Sequence, residues 1–444
     1  MLRGTLVLML TAAALTAAAS DENVRLSPSA PSSPPMNGTL LAFLNSIADW
    51  TMTLDVGTNI LNNSTVSTVN SSIFINGNLA RVLLAAHKLQ PNTRYLSEGL
   101  RWCDTFVKLQ QPSVTSDGQA AGYWNTGYNQ VYIADTGTAV VTLALCHELQ
   151  PDASKRAVYT TALRKFARFV QRGCRTAPAV GSAAQSGECP SAVPQGVAQH
   201  GGWIRADGAL GDGWYKGTLN LDPYTISTAT TGSCGLVELA DVLRADEGEG
   251  SPEAAALDAI ARRAAAWIVG NRTADGRIPY TISPPTPGDH AVYQPISYSA
   301  ESFIDVDLRY ADARARFLAP LRSTCAFLVR NQSADGSWGA FDGQTAAAAA
   351  AGPPLEQARF TASGDAQRSP RALSLLQWCD ARLGGDASFG AAAQKYVNFL
   401  LNPASARAFG VNALALPTGF VGLAIADLIS PWITFRKHSA PGAQ

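Results

Sequence analysis

Phe327-Leu-Val-Arg-Asn-Gln-Ser-Ala-Asp-Gly-Ser-Trp338 is the stretch on which the fold turns. An apolar helix end gives way to a polar Gln332, a turn at Gly336 and the aromatic Trp338. Weaker versions of this layout recur along the 444-residue chain. Such repetition points to a toroid of helical units rather than to a single irregular core. Trp338 is expected to pack over the preceding helix end.

Working outward, two kinds of helix alternate. One kind ends before a Gly/Asp/aromatic loop, at 41–54, 96–110, 157–172, 254–269, 311–330 and 391–401. Its apolar residues recur at helical spacing, as in Leu163, Phe166, Phe169 and Val170. The other kind starts on small or polar residues and is rich in Leu, Val and Ala, at 77–89, 136–149, 230–243, 297–310, 370–383 and 418–429. The starts at Asp135, at 297–301 and at Ser369-Pro370 read as caps and first turns. This gives about six helix–loop–helix units of roughly 50–90 residues. None can bury its apolar faces alone, whereas six in a ring bury both, one layer inside the other. No alternation of strands with helices supports a parallel-sheet fold; an irregular helical bundle is the competing all-α arrangement.

The chain resembles an (α/α)6 toroid, the fold of six-hairpin glycosidases and several polysaccharide lyases, over roughly residues 40 to 430. Phe327, Leu328, Gln332, Gly336 and Trp338 match the spacing of the Gln-Trp repeat of squalene-hopene-type cyclases, with Ser323 where Gly or Ala is expected after Arg322. The resemblance implies a ring whose loops carry the site. It does not extend to cyclase chemistry. Asp305-Val-Asp307-Leu308 lacks the last acid of the cyclase motif, and no Asp, Cys and His trio of a prenyltransferase stands out.

Composition narrows the setting. The formal net charge is +0 and 15% of residues are charged, which gives no electrostatic case for a nucleic acid or an anionic membrane. Arg3, the apolar run 6–18 and Ala17-Ala-Ala19 read as a signal peptide over 1–19, with a signal anchor as the alternative. Residues 20–39 read as a flexible linker, 40–432 as the toroid and 433–444 as a polar tail. Sequons at Asn37, Asn62, Asn63, Asn70, Asn271 and Asn331 fit a secreted glycoprotein. Of seven cysteines, Cys174 and Cys189 bracket a loop and pair best on spacing. Cys103/Cys146 and Cys325/Cys379 read equally as helix-bridging disulfides or as buried thiols, leaving one cysteine over. No Cys/His spacing suggests a metal, and no cofactor is expected. A monomer is favoured.

The chemistry should lie in the loops. One supplies Asp117, Trp124, Tyr128 and Asp135; the next Asp207, Asp212, Trp214, Tyr215, Asp222 and Tyr224; then Asp275, Tyr280, His290, Tyr298 and Glu301; then Asp335, Arg368 and Arg371. Asp135 reads as a catalytic acid or as an N-cap, and a cap would depress its pKa. Asp212 lies in a Gly-Asp-Gly-Trp-Tyr turn suited to sugar binding, or to ordinary turn chemistry. Glu301 reads as a first-turn acid, His290 as a base or a surface residue, and Arg371 as a uronate ligand or a solvated surface residue. The expectation is a secreted glycoside hydrolase acting on a polysaccharide or oligosaccharide. Asp135 and Asp212 are the preferred carboxylate pair, with Asp222 and Glu301 in reserve. Trp124, Tyr128, Trp214 and Tyr215 would form the sugar platform. A uronate lyase using Tyr298 or Tyr215, His290 and an Arg, and a non-catalytic binding toroid, are the alternatives.

Overall fold

The structure is a computed structural model that describes residues 34–54, 73–115, 117–124, 131–173, 202–215, 218–280, 291–339, 364–384 and 386–436. The chain opens with α1 (Pro34–Met52), α2 (Ile73–Leu89) and α3 (Thr93–Leu109). Strands β1 (Gln111–Val114), β2 (Ala120–Tyr123) and β3 (Val131–Tyr132) lead into α4 (Ile133–Leu149) and α5 (Ala153–Arg172). After β4 (Gly211–Tyr215) and β5 (Thr218–Pro223), a helical turn Thr225–Ser227 and a π-helical stretch Thr228–Gly235 run on into α6 (Leu236–Glu247). There follow α7 (Pro252–Gly270), α8 (Tyr293–Arg309), a π-helical turn Arg314–Leu318 and a 3-10 turn Ala319–Leu321 leading into α9 (Arg322–Arg330), a helical turn Gly364–Gln367, α10 (Arg371–Leu383), α11 (Ala387–Leu401), α12 (Pro403–Phe409) and α13 (Ala415–Ile429). Helix α1 begins inside the stretch read from sequence as linker.

The helices form two concentric layers. In the inner layer α2 packs on α4, α4 on the π stretch and α6, the π stretch on α8, α8 on α10, α10 on α13, and α13 back on α2. This closes a ring. Helices α1, α3, α5 and α7 pack outside it, each against two inner neighbours, and α9 and α11 pack on the outside of α10. The two kinds of helix separated by sequence pattern are these two layers. Outer helices carry one buried stripe, such as Tyr95, Gly99, Trp102, Cys103 and Phe106 on α3. Inner helices are buried nearly all round, as Ala415 to Asp427 of α13 show, so their composition is apolar with small residues and hydroxyls.

Disulfides Cys103–Cys146 and Cys325–Cys379 each staple an outer helix to the inner helix of its own hairpin, α3 to α4 and α9 to α10. Of the two open readings of these cysteines, pairing is the one the structure has. Cys234 is a free, buried thiol. Cys174 and Cys189 lie outside the described residues.

The repeated turn is also explicit. In Thr115–Gln119, Arg205–Ala209, Thr273–Arg277 and Ser333–Ser337 the first residue's N–H donates to the fifth residue's carbonyl at 2.8–3.0 Å. The glycine N–H of each donates back to the first residue's carbonyl at 2.9–3.1 Å. Gly336 has φ +98°, and a Cβ there would stand 2.5 Å from Lys395 O of α11. The turn therefore seats one outer helix against the next. Gln332 strengthens the seat, its amide donating to Gly336 O and to Ala392 O, both at 2.9 Å. Trp338 is buried, donates to Leu328 O at 3.0 Å and packs on Tyr396 with ring centroids 4.4 Å apart and planes tilted by 35°. Asp117, Asp207, Asp275 and Asp335 belong to these turns.

Connections from outer to inner helix are long, such as 173–224 and 331–370, whereas those from inner to outer, such as 90–92 and 150–152, are short. The described parts of these long connections therefore lead into the N-terminal ends of the inner helices.

Candidate active site

A small sheet at that end was not expected from sequence, where residues 211–215 read as a turn. Strand β3 pairs antiparallel with β4 through Val131↔Trp214 and Tyr132↔Gly213, and β4 pairs with β5 through Gly213↔Asn220. The β4–β5 register shifts between Gly211 and Gly213, so Asp212 sits at the irregularity, where a bulge re-aims a side chain. Gly213 has φ +145°, and a Cβ there would overlap Val131 O, so only glycine lets β3 lie this close. Asp135 follows β3 by three residues, in the first turn of α4. Two hydroxyls of the π stretch hold that turn: Thr230 donates to Ala134 O at 2.8 Å and Thr231 to Ile133 O.

The sheet thus brings Asp135 and Asp212 to the same end of the ring. Burial pushes the Asp135 carboxyl up from 3.8 to about 7; Arg368 opposes the rise and Asp212 adds to it. Burial likewise raises Asp212 to about 6 against a hydrogen bond from Asn220. Asp212 Oδ1 has no hydrogen-bond partner among the described residues. Three phenols complete the group. Burial holds Tyr224 well above the usual phenol range, with Tyr280, Asp212 and Asp135 adding to it, and its hydroxyl donates to that of Tyr280. Tyr298 is raised by burial, opposed by Arg368 and further raised by Asp135.

Asp135 is therefore not an N-cap. Tyr132 occupies that position, and the carboxyl is raised rather than depressed. Burial of the first-turn carboxyl outweighs the favourable end of the helix dipole.

Asp135, Asp212 and Tyr298 are brought together; Asp222 and Trp124 are not. Asp222 lies exposed on β5. Trp124 is fully buried, donating to Phe106 O at 2.8 Å and packing on Phe166, which is the geometry of a core wedge and not of a sugar platform. Trp214 and Tyr215 follow Asp212 on β4. Tyr128 and His290 lie outside the described residues.

Glu301 and Arg371 require correction. Glu301 is in the middle of α8, not its first turn, because the helix starts at Tyr293. It is paired with Arg81 at 3.1 Å and Arg371 at 2.8 Å. Burial works to raise its pKa, but the two guanidiniums outweigh it and the net shift is downward. Arg371 is fully buried between Glu301 and Asp427, neither solvated nor open to a substrate carboxylate.

Tyr224, Tyr280 and Arg368 were loop residues without an assigned role in the sequence. Tyr224 and Arg368 share one signal, a position just before an inner helix, as Tyr132 stands before α4; Tyr280 has no such signal. Among the described residues no cluster of three or more His, Cys, Asp or Glu is arranged to hold a metal ion. Two half-buried carboxyls titrating near neutrality beside an arginine can divide proton donation and acceptance between them.

No family model matches the sequence, and no curated protein matches it. Solved structures do. A polysaccharide lyase superposes with TM-score 0.52 at 12% identity, covering 91% of this chain and 100% of its own. A cellobiose 2-epimerase from Spirochaeta thermophila gives 0.49 at 12%, covering 84% and 87%. A GH76 alpha-mannanase from Bacteroides thetaiotaomicron gives 0.47 at 13%, covering 82% and 84%. The likeness is one of architecture: this chain is an (α/α)6 toroid of six helical hairpins.

Proposed function

We propose that this protein is a secreted carbohydrate-active enzyme, a glycoside hydrolase whose working pair is Asp135 and Asp212. The observation that carries the reading is the β3–β4 pairing, which sets Asp135, three residues beyond Tyr132, and Asp212, beside Gly213, at the same long-loop end of the ring. Asp135, with the higher value of about 7, keeps its proton in mildly acidic solution and donates it to the leaving glycosidic oxygen. Asp212, at about 6, releases its proton first and accepts one from the attacking water. Arg368 keeps Asp135 from rising further, so its proton can leave as well as stay. The two disulfides suit an oxidising compartment and support secretion.

The test is turnover of reducing-end-labelled glycans by wild type, Asp135→Asn and Asp212→Asn. Both variants should lose activity by at least about 10²-fold. Wild-type turnover by both removes the pair from consideration. One observation favours a second reading, a lyase acting on uronates: Tyr298 and Arg368 stand beside Asp135. Appearance of an unsaturated uronate chromophore, with no reducing sugar released by water, would select it. Glycan binding without turnover would leave a binding toroid.

A further inference from the structure

The interior of the ring holds a chain of charges that the chemistry above does not use. Arg81 of α2 donates to both oxygens of Glu301 on α8, at 3.1 and 3.3 Å. Arg371 of α10 pairs with Glu301 at 2.8 Å and donates to Asp427 of α13 at 2.5 Å. Two cations thus meet two anions across four of the six inner helices. Residues 434–436, expected from sequence to start a polar tail, complete the chain. Thr434 donates to Asp427 Oδ1 through its N–H at 3.1 Å and its hydroxyl at 2.9 Å. The Phe435 ring lies 5.6 Å from both guanidiniums, and the Arg436 N–H donates to Glu238 at 3.2 Å.

Burying four charges is a poor route to stability, since well-packed apolar residues commonly do as well. What such a chain supplies is register. Glu301 stands one turn beyond Tyr298 on α8, and Arg371 stands three residues beyond Arg368. The same two segments are tied twice more. The Arg371 N–H donates to Ser297 Oγ at 3.1 Å. The Asp365 carboxylate accepts the N–H groups of Val292, Tyr293 and Gln294 at 2.7–3.2 Å. Tyr298 and Arg368 therefore sit between ties that leave α8 no freedom to slide against the approach to α10.

We infer that Arg81, Glu301, Arg371 and Asp427 are positioning residues, locked by residues 434–436, that fix Tyr298 and Arg368 against Asp135. The inference rests on the reading of Asp135 as a working carboxyl. The groups facing that carboxyl are Asp212 from β4, Tyr224 from the start of the π-containing helix, Tyr298 from α8 and Arg368 from the approach to α10.

The experiment uses full-length wild type, Glu301→Gln and Phe435→Leu, each checked for helical circular dichroism and homogeneous elution. An infrared pH titration follows the carboxylic C=O stretch assigned by its loss in Asp135→Asn, and kcat and KM are measured where turnover exists. Glu301→Gln frees Arg81 and Arg371 and loosens α8 against the approach to α10, so the Asp135 midpoint should move by about half a pH unit as Arg368 shifts against it. Phe435→Leu changes no charge but frees the guanidiniums; it should displace the midpoint and lower kcat by about tenfold, with KM nearly unchanged. Folded variants with wild-type midpoint and wild-type kcat overturn the inference. If Glu301→Gln does not fold, Phe435→Leu decides by the same criteria. If wild type turns over no glycan, the infrared midpoints still decide this inference, and the hydrolase reading alone is lost.

Discussion

Replacing Asp135 by Asn should make the protein more stable at neutral pH while it removes the proposed function. In the folded protein the carboxyl stands near 7 instead of 3.8. Each pH unit of that difference is worth 1.36 kcal/mol, so holding the charge in this site costs about 4 kcal/mol once the group is ionised. Asp135 keeps some solvent contact, which reduces the figure to about 2–4 kcal/mol. The sign follows from proton counting. Between pH 3.8 and about 7 the folded state retains a proton that the unfolded chain has released. Wild-type stability from this group is therefore full at low pH and is lost as pH rises through the folded value. Asn carries no charge and escapes the loss. Urea unfolding at pH 4, 6 and 8 should give a stability gain of Asn over Asp near zero at pH 4 that grows to about 2–4 kcal/mol at pH 8. A pH-independent offset would refute the reasoning. So would an offset of opposite sense, in which Asp gains on Asn as pH rises, because that is the signature of a salt-bridged carboxylate.

Other perturbations test the frame. Trp338→Ala should cost about 3–5 kcal/mol in chemical denaturation. Trp338→Phe, which keeps the ring contact with Tyr396 but loses the bond to Leu328 O, should cost only about 1–2 kcal/mol. Replacing Cys325 and Cys379 together by Ala opens a bridge across 54 residues of sequence and should destabilise by about 4 kcal/mol on the chain-entropy account; a midpoint insensitive to the substitution would contradict it. Gly118→Ala and Gly336→Ala both enter positive φ, +83° and +98°, but only Gly336 faces backbone, with nothing within 4 Å of a Cβ at Gly118. The first should cost about 1 kcal/mol and the second at least about 2 kcal/mol more by thermal denaturation; equal costs would show that the turn does not seat the next helix.

The layers of the ring were legible because each helix announces its own environment. The stripe of α5 and the unbroken apolar run of α13 differ in period, and that difference is local. The site is not local. Asp135 and Asp212 meet because a two-residue strand at Val131 finds Trp214 across the chain, and so short a strand has no period to read. Trp124 was misplaced because a core aromatic and a sugar-stacking one share a composition, and only burial separates them. Glu301 carried a clue, since a carboxylate inside an apolar inner helix must be paired, but sequence does not name Arg81 and Arg371 as its partners.

The closure of α13 onto α2 has a consequence for how this protein comes apart. Helical arrays are commonly open stacks, whose end repeats need polar caps and fray first. Here the first and last hairpins are neighbours, so no unit is terminal and none can peel away without exposing two flanks. Amide exchange should therefore show α2 and α13 opening with the slow interior of the ring, and denaturant should remove all six hairpins in one transition, even though the contact that joins first to last spans most of the chain.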